Sequence, residues 1–210
     1  MRIRKFRHSC VLLEDGDTRL LVDPGTFSSG FEELTGLTGV LLTHQHADHV
    51  DVDRLGGIFE RNPDAQLICD AQTAERLALP SKAVQHGDVL TLGSVGVEVF
   101  GEWHAVIHPD IPSVRNVGYL FDDRVFHPGD AFTDPGRPVD VLALPTGAPW
   151  LKASEAIDYL RAIRPRVAFP VHESVLAAPG IGLYYGLYSR FAEEQDTEWR
   201  DLDRGEPFEL

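Results

Sequence analysis

Cysteine is nearly absent from this sequence. Its 210 residues include two, Cys10 and Cys69, each inside an apolar strand-like stretch. That excludes a disulfide framework or a cysteine-based metal cluster, and it predicts buried free thiols in a reducing compartment, the cytoplasm. Long apolar runs are missing as well: none approaches the roughly 20 residues that cross a bilayer. The basic opening from Met1 to His8 is followed by no apolar core of signal-peptide length, and its alternation suits a first strand. Positive charge is scarce, with 19 Lys and Arg against 33 Asp and Glu, a net charge of −14. A nucleic-acid partner, which needs a basic track, is disfavoured. Arg115, Arg124 and Arg137, scattered near the ligand loops, could still favour a small anion, although no Lys/Arg cluster is dense enough to claim a phosphate pocket. Linkers, low-complexity tracts and charge blocks are also lacking, so residues 1–210 read as one domain. Apolar content of 43% and charged content of 25% suit a globular chain with a substantial core.

Histidine, by contrast, is concentrated at one place. Thr43-His44-Gln45-His46-Ala47-Asp48-His49 directly follows the apolar run Val40-Leu41-Leu42. Core packing has no use for three imidazoles and a carboxylate at this spacing. A pair of divalent ions does, because each needs several nitrogen and oxygen donors at once. A strand ending at Thr43 delivers the next loop to the end of a sheet, where active sites of layered α/β folds gather. His44 and His46, two apart, can point to one side. A turn at Ala47 aims Asp48 and His49 at a second position, as two ions about 3.5–4 Å apart require. The competing reading is a His-rich surface loop, but such tracts are usually repetitive and polar, and this one is neither.

Three later segments repeat one architectural position, a strand followed by a loop that opens on His or Asp. His104 follows the alternation Val95-Val97-Val99, Asp130 follows Arg124-Val125-Phe126, and His172 follows Arg166-Val167-Ala168. The whole series resembles the signature of the metallo-β-lactamase superfamily: HxHxDH, a distant His, an Asp after Gly, and a last His after a strand. The resemblance covers nearly the full length. It implies an α/β fold of the αββα four-layer sandwich type and a dinuclear centre. In it His44, His46 and His104 hold one ion, Asp48, His49 and His172 the other, and Asp130 both. Zinc is the preferred metal, with manganese or iron suited to the same donors. The continuation of the motif to Asp51, the segment His8-Ser9-Cys10-Val11-Leu12-Leu13 and the segment Leu20-Leu21-Val22-Asp23-Pro24-Gly25 resemble one branch. It contains L-ascorbate-6-phosphate lactonase-like proteins and N-acylphosphatidylethanolamine phospholipase D. Asp130 stands where true β-lactamases commonly carry cysteine, which disfavours an antibiotic substrate.

The function expected is metal-dependent hydrolysis of a small ester, lactone or phosphodiester, the nucleophile being hydroxide shared by two ions. Asp48 is the expected catalytic residue, orienting that hydroxide or taking its proton. No appended substrate domain or large cap is visible, which favours a small-molecule substrate. His8, Asp51, His127 and Trp150 are candidates for supporting the ligands or lining the pocket. Asp51 reads equally as the N-cap of a helix beginning near Val52. Tyr184 and Tyr185 read as pocket wall or as loop packing, His108 as a remote candidate, and His86 as a surface turn. Two other functions remain open: an iron-dependent oxidoreductase or dioxygenase on the same fold, and a non-catalytic metal-binding regulator. Diiron flavoproteins of the superfamily carry Glu where this chain has His46. No heptad pattern fixes an oligomeric state.

Apolar periodicity and turn residues predict strands at 2–8, 9–14, 18–23 and 39–43, with Asp15-Gly16 turning the second into the third. Helices are expected at 52–61 and 71–78 around a strand at 66–69. Strands follow at 88–92, 95–103, 116–121, 124–127 and 139–144. A helix at 154–163 has Ser154 as N-cap and Pro165 as stop. A strand at 166–170, a helix at 185–195 and two short strands complete the chain. Val22-Asp23-Pro24-Gly25-Thr26-Phe27 and Phe126-His127-Pro128-Gly129-Asp130-Ala131-Phe132 echo one another faintly, as two related halves would.

Overall fold

A two-residue loop, Gly16-Asp17, joins the strands β2 (Val11–Asp15) and β3 (Thr18–Val22) into a hairpin. Glycine at its first position, with φ of 56°, supplies the backbone twist such a loop needs. The computed structural model describes residues 1–202 and 207–210. The remaining elements of the first half are β1 (Arg2–Lys5), β4 (Gly39–Leu41), α1 (Val52–Arg61), β5 (Gln66–Asp70), α2 (Ala71–Leu77) and β6 (Lys82–Val84). The second half comprises β7 (Val89–Leu92), β8 (Val95–Phe100), β9 (Gly118–Phe121), β10 (Val125–His127), β11 (Val141–Pro145), α3 (Ala153–Ile163), β12 (Val167–Val171), α4 (Ala178–Glu193) and β13 (Glu198–Trp199). A last strand, β14 (Phe208–Glu209), returns to pair with β1.

Two seven-stranded sheets result, in the orders β14-β1-β2-β3-β4-β5-β6 and β13-β12-β11-β10-β9-β8-β7. Their inner faces make one core, with Leu13, Leu20, Leu41 and Ile68 from the first sheet and Val97, Tyr119, Val141 and Phe169 from the second. The outer face of the first sheet packs Leu12, Leu21, Val40 and Leu42 against Leu55, Ile58 and Leu77 of α1 and α2. The outer face of the second packs Leu120, Leu142 and Leu144 against Ala156, Leu160 and Tyr188 of α3 and α4. This explains the unbroken run Val40-Leu41-Leu42: alternate side chains enter different apolar layers, so no polar face is left. The αββα sandwich expected from the sequence is the observed fold.

The faint internal echo has a structural counterpart. In each half an antiparallel hairpin feeds a strand, β3 or β10, which then pairs in parallel with the next three-strand βαβαβ run. Parallel strands bring their C-terminal ends to the same edge of a sheet, and the loops that leave that edge carry the histidines.

Several boundaries differ from expectation. β1 stops at Lys5 because Arg7 and His8 take positive φ (65° and 46°), turning the chain back toward Cys10. β8 ends at Phe100, where Gly101 at φ 79° breaks the strand; Trp103 only bridges to Arg115. α3 starts at Ala153 with Lys152 as N-cap, whose N–H donates to the Glu155 carboxylate at 3.1 Å, so Ser154 lies inside the helix. α4 begins at Ala178, seven residues earlier than position 185, because Pro179 starts a helix well and its glycines are tolerated inside it. β6 was not foreseen. No helix among the described residues is long and apolar enough to cross a membrane.

Candidate metal centre

The ligand motif leaves β4 and is anchored from behind by Asp23, the residue that follows β3. Asp23 is fully buried with φ of 48°. Its Oδ1 accepts the Thr43 N–H at 2.8 Å, and its Oδ2 accepts the Thr43 hydroxyl and the His49 Nδ1–H, each at 2.7 Å. Gly25 then passes directly under the motif, where a Cβ would stand 1.8 Å from the Asp48 carbonyl oxygen, so only glycine fits. On the other sheet, Asn116 holds the Pro128-Gly129-Asp130 turn: its Nδ2–H donates to the Pro128 carbonyl and its Oδ1 accepts the Asp130 N–H, both at 2.9 Å.

Behind four of the imidazoles sits an acceptor that fixes the tautomer. His44 Nδ1–H donates to the Thr43 hydroxyl at 3.0 Å, His104 Nδ1–H to the Ala105 carbonyl, and His172 Nδ1–H to the Gly147 carbonyl at 2.6 Å. Together with His49, these rings turn their Nε2 atoms inward. His44, His46 and His104 form one group whose donor atoms lie within 4.8 Å of one another, with His44 Nε2 and His46 Nδ1 3.0 Å apart. His8, Asp48, His49 and His172 form a second such group. Asp130 stands between them. Its Oδ2 is 3.3 Å from His104 Nε2 and 2.9 Å from His172 Nε2, while its Oδ1 is 3.1 Å from His49 Nε2.

Several of these atoms are buried and poorly satisfied. His49 Nε2, His172 Nε2 and Asp130 Oδ1 make no well-aligned hydrogen bond among the described residues and meet only in ion-pair contacts, His49 with Asp130 at 3.1 Å and His172 with Asp130 and Asp48 at 2.9 and 3.2 Å. A buried polar atom left so costs about 1–3 kcal/mol, and a cluster that faces inward together needs a common partner. Cation binding fits that need: nitrogen and oxygen donors that suit divalent ions converge here around one shared carboxylate.

The electrostatics agree. Burial acts to raise Asp48, but the His172 and His8 imidazoles beside it outweigh it and hold the carboxyl far below its usual range. Asp130 is likewise held down, as His172 and His49 overcome its burial. Burial acts to lower His172, yet Asp130 and Asp48 push it up to about 10. His49 is raised against its burial by Asp130 and Asp23. Burial and His49 press His44 well below its ordinary value. Two imidazoles thus hold protons on a framework whose Nε2 atoms a cation needs bare.

The structure places the other candidates differently. His8 is buried, and its Nε2–H donates to Asp48 Oδ2 at 3.0 Å. Its backbone N–H is held by Glu173 at 2.7 Å, and Glu173 is paired with buried Lys5 at 2.6 Å. Trp150 Nε1–H donates to Asp130 Oδ2 at 2.9 Å, and the indole packs on the His104 ring. His127 stays behind the cluster, donating to the Ser9 carbonyl at 3.0 Å and accepting the Gly129 N–H at 3.2 Å. Asp51 is the N-cap of α1, accepting the Asp53 and Arg54 N–H groups at 3.1 Å. His108 is exposed beside Asp110. His86 is exposed, as expected. Tyr184 and Tyr185 pack on Tyr188 and Trp199 rather than on the centre. Sequence reasoning missed Asp23, Thr43, Asn116 and the Lys5–Glu173 pair as supports of the site. An acid at a strand's end before Pro-Gly was the one readable signal, for Asp23.

The profile of the family described as "Beta-lactamase superfamily domain" matches residues 2–172. The chain belongs to the metallo-β-lactamase superfamily. Within that superfamily it is 51% identical over 207 residues to Protein Rv0786c of Mycobacterium tuberculosis, covering 96% of each chain. It is 27% identical to the UPF0173 metal-dependent hydrolase TTHA1283 of Thermus thermophilus, covering 100% of this chain and 99% of that one. Among solved structures, the metallo-β-lactamase fold protein YhfI of Bacillus subtilis superposes with a TM-score of 0.76 at 18% identity, over 99% of both chains. The diiron β-hydroxylase CmlA of Streptomyces venezuelae gives 0.75 at 18% identity, over all of this chain and 54% of that one. These structural likenesses are likenesses of fold.

Proposed function

We propose that this protein is a dinuclear metal-dependent hydrolase of a small ester, lactone or phosphodiester, with zinc as its metal. The observation that carries the reading is the pair of buried donor groups meeting at Asp130. His44, His46 and His104 would hold one ion, Asp48, His49 and His172 the second, and Asp130 both. Such ions polarise a carbonyl or phosphoryl oxygen and lower the pKa of water toward neutrality.

The chain's own side chains do the rest. Asp48 is the one carboxylate of the cluster with appreciable solvent access, its side chain 20% exposed against 4% for Asp130. It is therefore placed to orient an incoming water and take its proton. His8 and His172 both approach Asp48 Oδ2, at 3.0 and 3.2 Å, and keep the carboxylate turned to the centre. Trp150 holds Asp130 in place through its indole N–H. The metal-dependent hydrolase relative agrees with this reading. The net charge of −14 favours a small-molecule substrate over a nucleic acid, and buried free Cys10 and Cys69 favour the cytoplasm.

The test is metal analysis joined to a turnover panel of nitrophenyl esters, lactones and phosphodiesters. Two zinc equivalents per chain and hydrolysis of at least one class are expected. Asp48→Ala should lose about 10²–10⁴-fold in kcat, the range of a general base. Iron-loaded protein that consumes oxygen and hydrolyses nothing would overturn the proposal in favour of oxygen chemistry. Chain that takes up no metal at stoichiometric level would end it altogether.

A further inference from the structure

Lys5, the last residue of β1, shares a face of that strand with Ile3, which lies in the core between the sheets. An apolar residue would suit that position. Instead the Lys5 ammonium is fully buried and meets the carboxylate of Glu173, itself 4% exposed, at 2.6 Å. The cost of burying two charges can exceed what their attraction returns, and a well-packed apolar pair in their place is often as stable. Stability therefore does not explain the pair. Its other bonds do.

Glu173 divides its carboxylate oxygens between two duties. Oε2 accepts from Lys5, and Oε1 accepts the His8 backbone N–H at 2.7 Å. One position earlier, the His172 N–H donates to the His8 carbonyl at 3.3 Å. Both backbone polar groups of His8 are thus gripped by the consecutive residues His172 and Glu173. The grip matters because His8 stands at φ 46° and His172 at φ 64°, left-handed conformations that residues other than glycine rarely hold unless their surroundings impose them. It also sets the rings. The two imidazoles lie 4.1 Å apart between centroids, and their Nε2 atoms stand 3.0 and 3.2 Å from the same Asp48 Oδ2. β1 belongs to the first sheet and His172 follows β12 of the second. The contact therefore ties both halves of the sandwich at the carboxylate proposed to orient water.

We infer that Glu173, held in place by Lys5, is a positioning residue: it sets the His8 backbone and, through the His8 ring, the orientation of Asp48. The catalytic meaning of that orientation rests on the hydrolase reading, whereas the effect on the metal centre does not.

The test replaces both members of the pair at once, because removing one would strand a buried charge. Lys5→Met/Glu173→Leu removes the acceptor of the His8 N–H, whereas Lys5→Met/Glu173→Gln keeps one in the amide oxygen. Each would be made with His8 present and with His8→Ala. Zinc affinity would be read by competition with a chromogenic chelator, beside kcat and KM on the panel of esters, lactones and phosphodiesters. The Leu variant should lose about ten-fold in zinc affinity and in kcat, the lower end of the cost of removing a ligand's partner, with KM little changed. The Gln variant should recover most of that loss. In the His8→Ala background the Leu variant should add less than about two-fold, because residues acting through one another are not additive. An equal loss with and without His8 would show that the pair merely supports the fold and would overturn the proposal. So would a loss that the Gln variant fails to recover, or no loss at all. Should the Leu variant not fold, Lys5→Met/Glu173→Met, with a more adaptable side chain, carries the same comparison. If the unaltered protein hydrolyses nothing on the panel, the hydrolase reading alone falls, and the zinc affinities still decide the role of Glu173.

Discussion

Asp23 shows how much of the centre's geometry is set one step away from the proposed ligands. A single carboxylate organises Thr43 and His49 together, so its loss frees a ligand ring and a ligand loop at once. Asp23→Asn should weaken zinc affinity about 10–100-fold, the usual cost of removing such a partner, as read by competition with a chromogenic chelator; unchanged affinity would deny Asp23 this role. Protonation gives a second expectation. His172 is raised from 6.5 to about 10 in the metal-free fold. Its contribution to stability is therefore fully present below pH 6.5 and lost as pH rises through 10. Metal-free protein should lose melting temperature across that interval. Zinc uptake must displace the same protons, so affinity should rise with pH, and the heat of zinc binding near pH 7 should change with the buffer's ionisation enthalpy. At this scale the ligand candidates were legible in the sequence, because His44, His104, Asp130 and His172 each follow a strand. Asp23, Asn116 and Glu173 were not, because nothing in a linear pattern says which acid or amide will stand behind which ring.

Elements position the centre through two contacts of different kinds. Asp51 caps α1 and also accepts Arg54 Nε–H at 2.6 Å, while Arg54 ties down the Gly25 carbonyl at 2.7 Å. Gly25 in turn lies against the Asp48 backbone. Asp51→Ala should cost about 1–2 kcal/mol by denaturant melts, the range of a lost cap, with zinc stoichiometry preserved. Gly25→Ala should be far more damaging to metal binding, since the new methyl displaces the loop that carries Asp48. Equal zinc content in the two variants would refute this ranking. The alternation in β7 and β8 and the Ser/Asp/Pro/Gly punctuation made most elements readable. α4 began early because tertiary packing of Tyr188 and Ala192 overrides the low helix propensity of Gly180, Gly182 and Gly186. β6 has three residues, too few to carry a periodic signal.

For the whole molecule, the fold class was legible and the sheet orders were not. Strand period says that a segment is a strand, whereas its neighbours depend on contacts far apart in the chain; the return of β14 to β1 is one such case. The division of the proposed ligands between the halves has a kinetic consequence. His44 and His172 are separated by 128 positions (172 minus 44), a loop whose closure is entropically expensive before both sheets exist. An ion therefore cannot gather these groups early. Stopped-flow traces should show a refolding rate indifferent to added zinc and an unfolding rate slowed by it, the mark of contacts made after the barrier. The cation would act as a latch on a finished door rather than as a scaffold during assembly.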